Sequence, residues 1–130
     1  MFRKVIVLAI FFLIIGSKAF AQAPEKKTLG KKFWVVNGLF VSSGIYDVES
    51  TFYVRGKCPA CGETNPFMRP FVEAGKPETY AIIAATDIAV VYSSYYLKKH
   101  NSKLWFVFPV VLTASHVVAG TYNIRLAMKF

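Results

Sequence analysis

The sequence predicts an all-α membrane bundle of three transmembrane helices after an N-terminal signal peptide, with a short amphipathic helix between the first and second spans. Hydrophobic residues make up 55% of the chain and charged residues only 18%, whereas about a quarter of a soluble domain is charged. The apolar residues also fall into three long segments, separated by short polar ones. A length of 130 residues leaves room for one domain.

The basic residues flank the apolar segments. The chain has 16 Lys and Arg against 7 Asp and Glu, an excess that also occurs in nucleic-acid-binding proteins. Here the lysines and arginines do not form one basic face but stand where membrane proteins carry charges that anchor their helices. The predicted partner is therefore the lipid bilayer, and no nucleic acid is expected.

Residues 1–21 have the organisation of a secretory signal peptide. Arg3 and Lys4 precede an unbroken apolar run at residues 5–15, and the small residues Ala19 and Ala21 mark a cleavage site. The apolar run has 11 residues, which is short of the roughly 20 that a membrane span needs. A removed signal peptide is therefore favoured over a retained first helix.

The first span is predicted at residues 33–54, after a polar lead-in at residues 22–32. It is the least apolar of the three, because it contains Asp47 and Glu49. Helical spacing places the small and polar residues on one face, which lipid cannot satisfy and which should therefore contact other helices. This face comprises Phe40, Ser43 or Gly44, Asp47 and Thr51.

The second span is predicted at residues 80–97 and contains Asp87 near its middle. A central Asp costs about 2.5 to 3.5 kcal/mol on insertion scales, while each Leu, Ile, Val or Phe contributes about 0.3 to 0.6 kcal/mol. The helix can therefore insert, provided that Asp87 is paired, protonated or in contact with water. Its expected inward face is Ala84, Asp87, Val91 and Ser94.

The third span is predicted at residues 104–128, after a tight turn at residues 100–103. The short turn makes the second and third spans antiparallel neighbours. Pro109 is expected to kink the third span, and His116 to face Asp87 near mid-membrane. The polar and small stripe of this span comprises Pro109, Thr113, His116, Gly120 and Asn123.

The segment at residues 55–79 is the longest loop. Asn65 before Pro66 is typical of a helix start, so a short amphipathic helix is predicted from Pro66 to about Ala74, ended by Gly75. Cys58 and Cys61 have the spacing of a redox motif but lie in a loop, which leaves a disulfide or passive pair, a metal site and a catalytic thiol pair as alternatives. A cleaved signal peptide would place this loop in the cytoplasm.

The order Asp47-x-x-x-Thr51, a loop, then Glu63-x-Asn65-Pro66 and two further apolar spans resembles a group of small bacterial integral membrane proteins catalogued only as a domain of unknown function. The resemblance covers roughly residues 35–126. It implies a compact, multi-pass helical domain in the bacterial inner membrane, with these five residues as its polar centre. It implies no reaction.

Two functions are compatible with these features. In the first, which is favoured, the protein is not an enzyme: a polar seam packs three helices, and the loop at residues 55–79 meets a membrane-protein partner or a second copy. In the second, an intramembrane transporter, proton relay or metal-dependent enzyme uses Asp47, Glu63, Asp87 and His116, with a divalent metal as the one suggested cofactor. Asp87, His116 and Asn123 complete the predicted polar centre. The chain has no nucleophile elbow, paired zinc-binding histidines or phosphate loop.

Overall fold

A computed structural model describes residues 29–130, and this part of the chain is helical without a strand. The predicted all-α class is therefore confirmed. The signal peptide at residues 1–21 and most of the polar lead-in lie outside the described residues. The helices are α1 (Lys31–Lys57), α2 (Arg69–Ala74), α3 (Lys76–Lys99) and α4 (Val107–Ala127).

The three long helices run up, down and up. At one end of the bundle the ring of Phe33 in α1 lies 5.8 Å from that of Trp105, just before α4. At the other end Asn123 of α4 donates a hydrogen bond to Thr51 of α1. These contacts make α1 and α4 parallel. They share the largest interface of the molecule, and α3 packs antiparallel against both.

The central helix of the bundle is α1. Its inward residues recur at alternating steps of four and three, which is the spacing of a helix that contacts a partner along one seam. Nine of its 27 residues are buried, whereas α3 and α4 have three buried residues each. The seam of α1 comprises Phe33, Asn37, Phe40, Gly44, Asp47, Thr51 and Val54.

The polarity of the molecule is inverted relative to a soluble protein. Its buried polar side chains are as numerous as its buried hydrophobic ones, while large apolar side chains cover the outside. Soluble proteins rarely expose contiguous apolar surface on this scale. The buried polar residues are Asn37, Ser43, Ser50, Thr51, Thr79, Asp87 and Ser94.

Two helices, α3 and α4, are long and apolar enough to cross a membrane. The first helix is longer, about 40 Å at 1.5 Å per residue. Because it contains Asp47, Glu49 and other polar residues, its composition is too polar to meet the same criterion. Two of the three predicted spans thus meet the criterion. A crossing by α1 stays a prediction.

Three helix starts differ from expectation by three residues or more. The helix α3 begins at Lys76 rather than at residue 80, inside the segment that was predicted to be a loop. The last helix begins at Val107 rather than residue 104, which places Pro109 in its first turn, where the missing N–H costs no hydrogen bond. No kink is therefore required of Pro109.

In the loop, Asn65 caps a turn at residues 66–68, accepting a hydrogen bond from the Phe67 amide at 3.0 Å, and α2 itself starts only at Arg69. Gly75, with φ +137°, ends α2 as predicted.

Candidate functional site

The centre of the bundle contains an interhelical bond between Asp47 and His116. Nδ1 of His116 lies 2.9 Å from Oδ2 of Asp47, and both side chains are mostly shielded. His116 was expected to face Asp87; its hydrogen bond goes instead to Asp47 in α1, the helix with which α4 shares its largest interface. The Phe40 ring, 6.2 Å from that of His116, covers the pair on one side.

Asp87 of α3 lies against α1 in the same part of the bundle. It is 8% exposed and rests against Gly44: a methyl group placed on Gly44 would lie 3.7 Å from Oδ2 of Asp87. Its carboxylate forms no hydrogen bond with residues 29–130.

A second polar contact lies near the loop end of α1 and α4. Nδ2 of Asn123 donates to Oγ1 of Thr51 at 2.9 Å and approaches Oγ of Ser50 at 3.3 Å. Thr51 and Asn123 also line a small recess together with Glu63 from the loop. This is where the predicted residues Thr51, Glu63 and Asn123 meet.

A third contact at the opposite end was not predicted. Nδ2 of Asn37 donates to the Phe33 carbonyl at 2.9 Å and approaches Oγ of Ser94 at 3.4 Å. Oγ of Ser94 in turn donates to the Trp105 carbonyl at 2.8 Å. Asn37 stands on the heptad spacing of the α1 seam, and this spacing is the signal that could have identified it.

Gly120 of α4 lies directly against Tyr46 of α1. A methyl group there would lie 2.4 Å from Cε1 of Tyr46 and 3.2 Å from Oγ of Ser50. The Tyr46 ring therefore occupies the space that any other residue would need. Gly120 was predicted to permit close packing, but its partner could not be read from the sequence.

The loop contributes less to the centre than the resemblance implied. Oε1 of Glu63 accepts a hydrogen bond from the Asn65 amide at 2.7 Å, so these residues shape their own turn. Arg55 donates to the Val72 carbonyl and ties α2 to α1. Outside the seam, Glu49 forms an exposed ion pair with Lys76 at 2.9 Å.

Cys58 and Cys61 form a disulfide that closes the turn after α1. Of the three alternatives for this pair, the structure has the bonded one, which leaves neither thiol free to bind a metal. Elsewhere in residues 29–130, no group of three or more His, Cys, Asp or Glu side chains is arranged to hold a metal ion.

Comparison with models of protein families, with curated proteins and with solved structures finds no match to this chain.

Proposed function

We propose that the protein is a non-enzymatic, multi-pass protein of the bacterial inner membrane, in which α1, α3 and α4 all cross the bilayer and the loop at residues 55–79 meets a protein partner. The main support for this proposal is that polar side chains are buried between the helices while large apolar side chains are exposed on the outside. Lipid tolerates apolar surface but cannot satisfy polar groups, so a membrane bundle turns its polar side chains inward. The bacterial location follows the resemblance described above.

The crossing by α1 is supported by its pairing with α4. The two helices are parallel, with Phe33 against Trp105 at one end and Thr51 bonded to Asn123 at the other, so a bilayer that surrounds α4 also surrounds α1. The low hydropathy of α1 comes mainly from its seam, which the other helices cover. Its outward face includes the exposed apolar side chains of Trp34, Leu39 and Ile45.

The pairing of the seam residues supports a packing role. Polar groups of α1 are matched locally by groups on α3 or α4: Asn37 by Ser94, Asp47 by His116 and Thr51 by Asn123. Such contacts contribute about 0.6 kcal/mol each on average in membrane bundles. In this bundle these contacts fix how the three helices are shifted along their axes and rotated relative to one another.

The loop has the features of a surface presented to a partner. Its backbone is held by the disulfide, by the turn at Asn65 and by the tether from Arg55 to α2. Phe67 projects from this fixed frame with 55% of its surface exposed. Rigid display lowers the conformational entropy that binding would otherwise lose.

We predict opposite labelling of the two ends of α1. In a variant with both native cysteines replaced by serine, single cysteines at Gly30, Gly62, Lys103 and Lys129 are tested with a membrane-impermeant maleimide. Neither glycine has a neighbour within 4 Å of an added Cβ, so these replacements fit. Three crossings place Gly30 with Lys103 on one side, and Gly62 with Lys129 on the other.

Labelling of Gly30→Cys and Gly62→Cys from the same side would show that α1 does not cross, and would overturn the proposal. The same experiment fixes the orientation, for which two features make opposite predictions. A cleaved signal peptide places the Gly30 side outside the cytoplasm. The disulfide favours the Gly62 side there, since disulfides persist in oxidising compartments.

A proton relay is the second candidate function, favoured by the bond between His116 and Asp47 and by the buried Asp87 on the neighbouring helix. An imidazole can accept a proton at one ring nitrogen and release one at the other, so a chain of such groups can carry protons. The buried Asp87, with no hydrogen bond inside the described residues, is the group that a packing role explains least.

Asp87→Asn distinguishes these two functions. In a packing seam the amide is expected to change the free energy of unfolding by about 1 kcal/mol or less, because it keeps the shape of the side chain and removes the burial of a charge that has no hydrogen-bond partner among the described residues. Proton flux into proteoliposomes containing the wild-type protein should then be no faster than into empty liposomes. Flux that is present in the wild type and abolished by Asp87→Asn would replace the packing role by the relay.

A further inference from the structure

An open groove lies at the end of the bundle opposite the loop, between the start of α1 and the turn that joins α3 to α4. Its volume is about 410 Å³, within the range of small-molecule sites. The wall is apolar, and two lysines stand beside it. The groove is lined by Lys31, Lys32, Val35, Val36, Trp105 and Phe106.

The charge at this end of the bundle has one sign. Five lysines stand at the start of α1 and around the turn, whereas the carboxylates of residues 29–130 all lie in the seam or toward the loop end. The field at the groove is therefore positive, and an anion is its complement. The lysines are Lys31, Lys32, Lys98, Lys99 and Lys103.

The wall of the groove is held in place by ring contacts. The Trp105 ring lies 5.8 Å from that of Phe33, and Nζ of Lys98 stands 4.3 Å from its centroid. The neighbouring Trp34 ring packs edge-on against Phe33. Tryptophan is enriched at the headgroup level of membranes, so this is the depth at which a phosphate meets the first carbons of an acyl chain.

We propose that the groove binds one anionic phospholipid, with an acyl chain along Val35, Val36 and Phe106 and the phosphate beside Lys31 and Lys32. This site rests on the membrane placement proposed above. A second copy of the chain would bring its own lysines against this end, which the like charge opposes. A free phosphate would leave the apolar wall unused.

Quenching of Trp105 by brominated lipids tests the site. The chain has two tryptophans, so a Trp34→Phe background leaves Trp105 as the only reporter. Brominated phosphatidylglycerol should quench it more strongly than brominated phosphatidylcholine in mixed vesicles. Lysines near a membrane surface each strengthen anionic-lipid binding by about fivefold, so Lys31→Gln with Lys32→Gln should reduce the preference by about 25-fold.

The matched control is Lys57→Gln with Lys129→Gln, which changes the net charge equally at the loop end and should leave the preference intact. Val35→Phe keeps every charge but narrows the groove, and should weaken quenching by the brominated chain. An equal loss of preference in the control pair would show a general charge effect and overturn the site. So would loss of the preference in excess inorganic phosphate, which would show an adventitious ion only.

Failure of the site is distinguishable from failure of the membrane placement. If both brominated lipids quench Trp105 equally, the protein lies in the bilayer but has no anionic-lipid site. If neither lipid quenches it and alkaline carbonate extracts the protein from membranes, the placement itself is wrong and the site falls with it.

Discussion

Replacement of His116 by leucine is expected to destabilise the bundle by about 2 to 3 kcal/mol. The imidazole is the hydrogen-bond partner of Asp47, so its loss leaves a mostly shielded carboxylate beside an apolar side chain. Removing one member of a fully buried pair costs about 3 to 5 kcal/mol, and partial exposure of this pair lowers that figure. Unfolding in mixed detergent micelles measures the change.

A second substitution tests whether the unpaired charge is the cause. Asp47→Asn added to His116→Leu should recover more than half of the lost stability, because the carboxylate left without its partner becomes neutral. Ser115→Leu is the matched control: Ser115 lies on the exposed face of α4, and its Oγ contacts only the Val111 carbonyl. If His116→Leu is no more harmful than Ser115→Leu, the pair does not stabilise the fold.

Gly120→Ala is expected to cost about 1 to 3 kcal/mol, the range for overpacking a tight interface. The added methyl would stand 2.4 Å from Cε1 of Tyr46, so the ring must leave its place between α1 and α4. Gly38→Ala is the control, since it is a helical glycine with no neighbour within 4 Å of an added Cβ. That change should be neutral, or stabilising by up to about 1 kcal/mol through helix propensity.

A double-mutant cycle isolates the contact. When Tyr46 is replaced by alanine, the nearest atom that remains beside the methyl of Gly120→Ala is Oγ of Ser50, at 3.2 Å, and the remaining cost should be small. The two changes together should therefore destabilise less than the sum of the single changes. Strict additivity would show that Gly120 is required for another reason, and not because of the Tyr46 ring.

The inward faces of the helices could be predicted because they depend on local spacing. Thr113, His116, Gly120 and Asn123 follow the same alternation of three and four as the α1 seam, and the structure turns that side of α4 inward. Ala84 is an exception: it was assigned to the inner face of α3 but is exposed. The inner face of α3 instead runs through Thr79, Asp87 and Ser94.

The partners of these residues could not be predicted in the same way. Whether His116 meets Asp47 or Asp87 depends on how α4 is rotated between two helices, which no spacing within one helix specifies. The short turn predicts that α3 and α4 are antiparallel neighbours, and the structure confirms it. The larger interface is nevertheless that of α1 with α4, where Gly120 leaves room for the Tyr46 ring.

The loop residues show a different limit. Glu63, Asn65 and Pro66 were assigned to the polar centre because of the resemblance. In the structure Glu63 and Asn65 bond each other and their own turn, and Glu63 reaches only the recess near Thr51 and Asn123. The polar residues of a short motif can hydrogen-bond within their own turn or with other helices in the polar centre. The sequence of the motif is the same in both cases, so it does not show which bonds form.

The parallel pairing of α1 with α4 has a consequence for biosynthesis. The ribosome completes α1, the loop and α3 before it makes α4, so a nascent α1 is without the helix with which it shares its largest interface. Until α4 emerges, Asp47 and Thr51 lack the side chains that later bond them. The last-made helix thus completes the first, and chains interrupted before it would keep these polar groups of α1 without their partners.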